Sequence, residues 1–133
     1  MSLEASIVYE ITNDSTLSGL IGTKIYSIKK VQKSTITGSY IVYRLLSSSG
    51  INDYPDQMRN ISFNCYADTM TVARSIRLAV LNLFNYFSGD IGETGSKVTL
   101  KRSTIISSDI EIYDEVAFKN NAPIDIQFDF FRE

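Results

Sequence analysis

Apolar positions recur along the chain with two periods, and their alternation in sequence outlines the fold. Leu3, Ile7, Val8 and Ile11 repeat at helical spacing, so residues 3–13 are predicted as a short amphipathic helix. Asn13-Asp14-Ser15 can stop it and cap a further turn or two. There Leu17, Leu20 and Ile21 form the apolar side, and Gly22 ends the piece. Lys24–Ile28 is predicted as a short strand and Tyr40–Leu46 as an aromatic, β-branched one. Between them, residues 29–39 read as a polar loop or extended hairpin arm. Residues 47–57 are turn formers and read as loop.

Arg59–Ala67 alternates: Ile61, Phe63, Cys65 and Ala67 share one face while Ser62, Asn64 and Tyr66 share the other, the mark of a half-buried strand. Asp68 is the expected N-cap of a long helix over 69–87. Its stripe is Val72, Ile76, Val80, Leu83 and Phe87, widened by Ala73, Ala79 and Phe84. Leu78 and Leu81 lie off that stripe and either widen the core face or meet a partner. Ser88–Ser96, with three glycines, reads as a helix-to-strand loop. Lys97–Tyr113 reads as extended with a bulge near Arg102-Ser103, where Val98 and Leu100 lose phase with Ile110 and Ile112. Pro123 is expected to open the last strand. Ile124, Ile126, Phe128 and Phe130 then alternate with Asp125, Gln127 and Asp129, until Phe131 breaks the polar face.

The predicted order is α-β-β-β-α-β-β. Connections too short for parallel crossovers, except across the long helix, imply a single α+β domain over 1–133. Its sheet would be mainly antiparallel, with a long and a short helix packed on one face.

Composition narrows the chemistry. The 133 residues are 44% apolar and 21% charged, as in an ordinary folded domain. There is no His, no Trp and one Cys, which excludes a Ser-His-Asp or Cys-His catalytic pair and a Cys/His zinc site. Thirteen basic against fifteen acidic residues give a net charge of −2, which argues against a nonspecific nucleic-acid binder. The N-terminus lacks a secretory signal and no apolar stretch nears the ~20 residues of a membrane span, so a cytoplasmic start is expected.

Candidate constellations are few. Gly89, Gly92 and Gly95 follow a helix and precede a strand, so no helix N-terminus faces them, and they read as a turn. Asp109, Glu111, Asp114 and Glu115 lack calcium-loop spacing and read as solvated strand-end charge. Asp125 and Asp129 share a strand face about 13 Å apart, too far for paired acid–base work. Cys65 reads as a small core residue. No catalytic, metal or cofactor-binding residue is expected. The basic run Lys29, Lys30 and Lys33, interleaved with Val31 and Ile36, reads as an edge-blunting arm or as a contact to a partner or a phosphate backbone.

One longer pattern carries a resemblance. Asp14-Ser-Thr-Leu17-Ser-Gly-Leu20-Ile-Gly22-Thr-Lys-Ile25-Tyr26 resembles the opening of the phage and prophage tail completion, or tail terminator, family. Ser39-Tyr40-Ile41-Val42-Tyr43 is similar to that family's Pro-Tyr-aliphatic-aliphatic strand, with Ser39 in place of Pro. Arg59–Tyr66 resembles the strand before the family's long helix. Ala73, Ile76, Ala79, Val80 and Leu83 fit the helix itself, and Lys97–Ser108 and Ile124–Arg132 resemble the closing strands. The 29–39 insertion departs from the pattern.

The resemblance implies a non-catalytic structural protein of the virion tail, needing no cofactor and assembled in the host cytoplasm. It would form a ring, typically six-fold, that caps the tail tube and joins it to the head connector. Its partners would be other copies of itself, the tube protein and the connector or stopper. DNA would pass only as cargo, and no membrane would be involved. Subunit or tube contacts are expected at Lys29, Lys30, Lys33, Ile36, Ile51, Tyr54 and Phe131, the last because its exposure would favour a subunit contact. The nearest alternative is another neck component, a head-completion or stopper protein. A small nucleic-acid-binding domain that stacks bases on strand tyrosines is further off.

Overall fold

The computed structural model describes residues 2–28, 37–50, 56–108, 110–115 and 118–131. Helix α1 spans Leu3–Asn13 and α2 spans Ser15–Ile21. The Ser2 hydroxyl accepts from the Ala5 N–H, and the Asp14 carboxylate accepts from the Leu17 N–H at 3.0 Å. These two caps answer the open N–H groups that each helix start leaves. Gly22 closes α2 with φ 64°, where a side chain would be strained.

The strands are β1 (Ile25–Ser27), β2 (Tyr40–Gly50), β3 (Asp56–Ala67), β4 (Gly89–Ile91), β5 (Val98–Ser107), β6 (Ile112–Asp114) and β7 (Lys119–Phe131), with α3 (Met70–Phe84) between β3 and β4. They form one sheet in the order β1-β2-β3-β7-β5-β4, and β6 also pairs β7. All pairings are antiparallel except β1 with β2. The α+β class and mainly antiparallel sheet match the sequence expectation.

The element order is fuller than expected. Glycine-rich 88–96 contains β4, and 97–113 divides into β5 and β6. Three-residue strands carry no readable period, which is why neither stood out. The expectation that only the long helix spans a parallel crossover is corrected at β1: the twelve-residue connection 28–39 joins it to β2, which lies parallel to it, so the two strands are not a hairpin. Residues 47–57 are not all loop: β2 runs on to Gly50 and β3 begins at Asp56. Thr69, not Asp68, caps α3, its hydroxyl accepting from the Val72 N–H. The helix stops at Phe84, short of 87. Pro123 lies inside β7 rather than at its start. On one side it is level with Asn64 of β3. On the other, β5 pairs only from Asp125 and β6 only up to Asn121, so the missing N–H falls where no described strand runs beside β7.

The helices cover one face of the sheet. Leu3, Ile7, Ile11, Leu17 and Ile21 from α1 and α2 meet Ala73, Ile76, Val80 and Phe84 of α3 over Ile61, Phe63, Cys65, Ile124, Ile126 and Phe128. Phe84 lies edge-on to Phe128 with ring centroids 5.3 Å apart, and Phe63 joins both at 6.3 and 6.4 Å. The expected bulge in β5 is present, with register shifts at Leu100/Arg102 and Ile105/Ser107. It turns Ser103 inward, fully buried. The Ser103 hydroxyl donates to the Phe84 carbonyl at the end of α3 and accepts from the Phe87 N–H at 3.1 Å.

Candidate assembly surface

The titratable groups with the largest shifts among the described residues are displaced by burial first. Cys65 is fully buried, and burial pushes its thiol up to about 12. No group of three or more His, Cys, Asp or Glu could hold a metal among the described residues. Tyr66 stacks on Tyr40 at 4.9 Å, on the sheet face away from the helices. Its hydroxyl is pushed up to about 12, first by burial and then by the Asp114 carboxylate, to which it donates at 3.5 Å. An open cleft of about 230 Å³ between α2 and α3 is lined by Asp14, Thr16, Ala79, Asn82 and Leu83. Its one carboxylate is already the cap of α2.

Ion pairs tie the helices to the sheet. Arg59 of β3 holds Glu4 of α1 at 2.7 Å, with its guanidinium 5.4 Å from the Phe130 ring centroid. Arg74 and Arg77 of α3 both reach Glu111, and Arg77 also donates to the Ile110 carbonyl at 2.9 Å. Glu111 is therefore engaged rather than merely solvated. Hydrogen bonding from Arg74 holds its carboxyl below the usual range. Asp109 lies outside the described residues.

Of the expected contact residues, Lys29, Lys30, Lys33, Ile36, Ile51 and Tyr54 lie outside the described residues. Phe131 ends β7 and is 42% exposed, with the Lys101 ammonium 5.6 Å from its ring centroid. Leu81 packs on the core, whereas Leu78 is 57% exposed.

The apolar surface that sequence reading passed over lies along the sheet margins: Leu45, Leu46 and Ile106 are each between 43% and 52% exposed. A signal for them was present. Leu45-Leu46 and Ile105-Ile106 are consecutive apolar pairs in strands, and alternation cannot turn both members inward. No helix among the described residues is long and apolar enough to cross a membrane.

No protein-family model matches the chain, and no curated protein matches it. Among solved structures, the fold is similar to a chain of the virion of a native gene transfer agent particle. The TM-score is 0.74 at 14% identity, over 98% of this chain and 95% of that one. At that identity the likeness shows a shared fold over the whole domain.

Proposed function

We propose that the chain is a non-catalytic structural subunit of a tailed-phage-like particle, acting as a ring that caps the tail tube and joins it to the head connector. The observation that carries this reading is the end-to-end likeness to a chain of a gene transfer agent virion. The sequence resemblance to tail completion proteins over the Asp14–Tyr26 turn and strand supports it independently. So does a surface whose distinctive features, among the described residues, are strand edges and exposed apolar side chains. A ring through which DNA passes should bind it weakly, and a net charge of −2 per subunit suits that.

The test is electron microscopy of particles from a genome lacking this chain. Expected are full heads and separate tails of irregular, excess length, with joined particles restored by supplying the chain in trans. Tails of normal length beside heads that leak their DNA would assign it to the stopper instead. Normally joined particles would refute a neck role altogether.

A further inference from the structure

Each margin of the sheet is half covered. At one margin, β1 lies beside Ile41–Tyr43 of β2 and leaves the stretch from Arg44 onward without a strand beside it among the described residues. At the other, β4 lies beside Val98–Leu100, and the Phe87 carbonyl accepts from the Ser103 N–H, leaving Thr104–Ser107 of β5 open among the described residues.

The ladders place these open stretches level with each other across the sheet. Arg44, Ser62, Asp125 and Ser107 form one row. Leu45, Ile61, Ile126 and Ile105 form the next, and Ser47, Asn60, Gln127 and Thr104 the third. Three antiparallel steps separate β2 from β5, so the two strands run in opposite directions.

We propose that copies of the chain join edge to edge, Arg44–Ser47 of β2 in one copy pairing antiparallel with Thr104–Ser107 of β5 in the next, in a head-to-tail contact that can close into a ring. This deepens the ring reading above and rests on it.

Three further observations fit. First, the joint brings Leu45 and Leu46 against Ile105 and Ile106, removing exposed apolar surface from both margins. Second, β1 stands level with Ala122–Ile124, the rows where no described strand runs beside β7. In a joined sheet β1 of one copy would face the β5–β6 connection of the next, which spans those rows, at the level of the proline that has no N–H to offer. Third, Arg44 of one copy comes level with Asp125 of the next across the small Ser107, about 10 Å away by strand spacing and within reach of an arginine side chain. The two margins differ from each other, so pairing is heterologous and does not stop at a dimer.

The test is disulfide trapping with the double variant Leu45→Cys/Ile105→Cys. Within one copy these positions are three strand spacings apart, roughly 14 Å, beyond the reach of a disulfide, so any bond links two copies. Expected is a ladder of covalent multimers from the double variant and dimers only from a mixture of the two single variants. Neither single variant alone should cross-link, and the buried Cys65 should stay silent. Leu46→Lys and Ile106→Lys, at exposed positions that leave the circular dichroism unchanged, should each weaken self-association by about tenfold or more.

Covalent dimers of Leu45→Cys alone would mean a two-fold β2–β2 contact and overturn the proposal. So would the absence of cross-links in the double variant at the highest soluble concentration. The particle phenotype judges the ring reading separately. Unjoined, overlong tails together with no cross-link would leave the ring standing and remove only this joint.

Discussion

At the scale of single residues, the two groups most displaced in their proton equilibria among the described residues are Cys65 and Tyr66, neighbours on opposite faces of β3. Cys65 is pushed from an ordinary 9.0 to about 12 by burial, and Tyr66 from 10.0 to about 12 by burial and then by Asp114. A raised acid holds its proton in the folded chain at a pH where the unfolded chain has released it. The unfolded state then binds fewer protons, and stability falls as pH rises from about 9 toward 12. Each fully displaced group contributes a slope of up to about 1.4 kcal/mol per pH unit, less for the partly exposed Tyr66. Denaturant titrations at successive pH values should show this decline, and Cys65→Ala should flatten its first part between pH 9 and 10. An unchanged slope in that variant would show that the thiol is not what titrates. The same burial predicts that alkylating reagents leave native Cys65 unmodified at pH 8 and react with it only on unfolding.

At the scale of elements, the join between α3 and β5 rests on Ser103. Ser103→Ala removes the hydroxyl that bonds the Phe84 carbonyl and the Phe87 N–H and leaves these two groups only their long mutual bond of 3.4 Å, with an expected loss of about 1–2 kcal/mol of unfolding free energy. The denaturant midpoint should fall at constant m-value, while Thr104→Ala next door stays within about 0.5 kcal/mol.

The bulge that turns Ser103 inward was legible in the sequence, because Val98 and Leu100 fall out of phase with Ile110 and Ile112. The helices were legible for a related reason: Leu3, Ile7 and Ile11, then Ala73, Ile76 and Val80, each hold one phase long enough to define a buried stripe. What stayed hidden has physical causes. A three-residue strand such as β4 or β6 shows no period, and apolar alternation records which face is buried but not which way a neighbour runs, so parallel β1 was invisible. The candidate surface was harder still. Charge at Lys29–Lys33 and the aromatic Phe131 are conspicuous in the sequence, whereas the doubled pairs Leu45-Leu46 and Ile105-Ile106 signal only that one member of each is turned outward, and the ladder is needed to show that no described strand lies beside them.

At the scale of the whole molecule, β7 is the strand on which the rest depends. It runs between β3 on one side and β5 and β6 on the other, and its Ile124, Ile126 and Phe128 are fully buried. Truncation after residue 118 should therefore abolish cooperative unfolding rather than trim an end. It removes the centre of the sheet and separates β1-β2-β3 from the two-stranded β4-β5, so neither piece keeps the core that β7 completes. Near-ultraviolet circular dichroism and a melting scan would check this, and a truncated chain that still melts cooperatively would contradict it.

This placement also orders events in time. Synthesis delivers β2, β3, α3 and β5 well before β7, yet the sheet cannot close until Phe131 has left the ribosome. Until then β3 and β5 have no common neighbour to hold them in register, and the rows that bring Arg44–Ser47 level with Thr104–Ser107 do not exist. A chain truncated before β7 would therefore lack the rows on which the proposed joint depends, so under that proposal it should not join its neighbours.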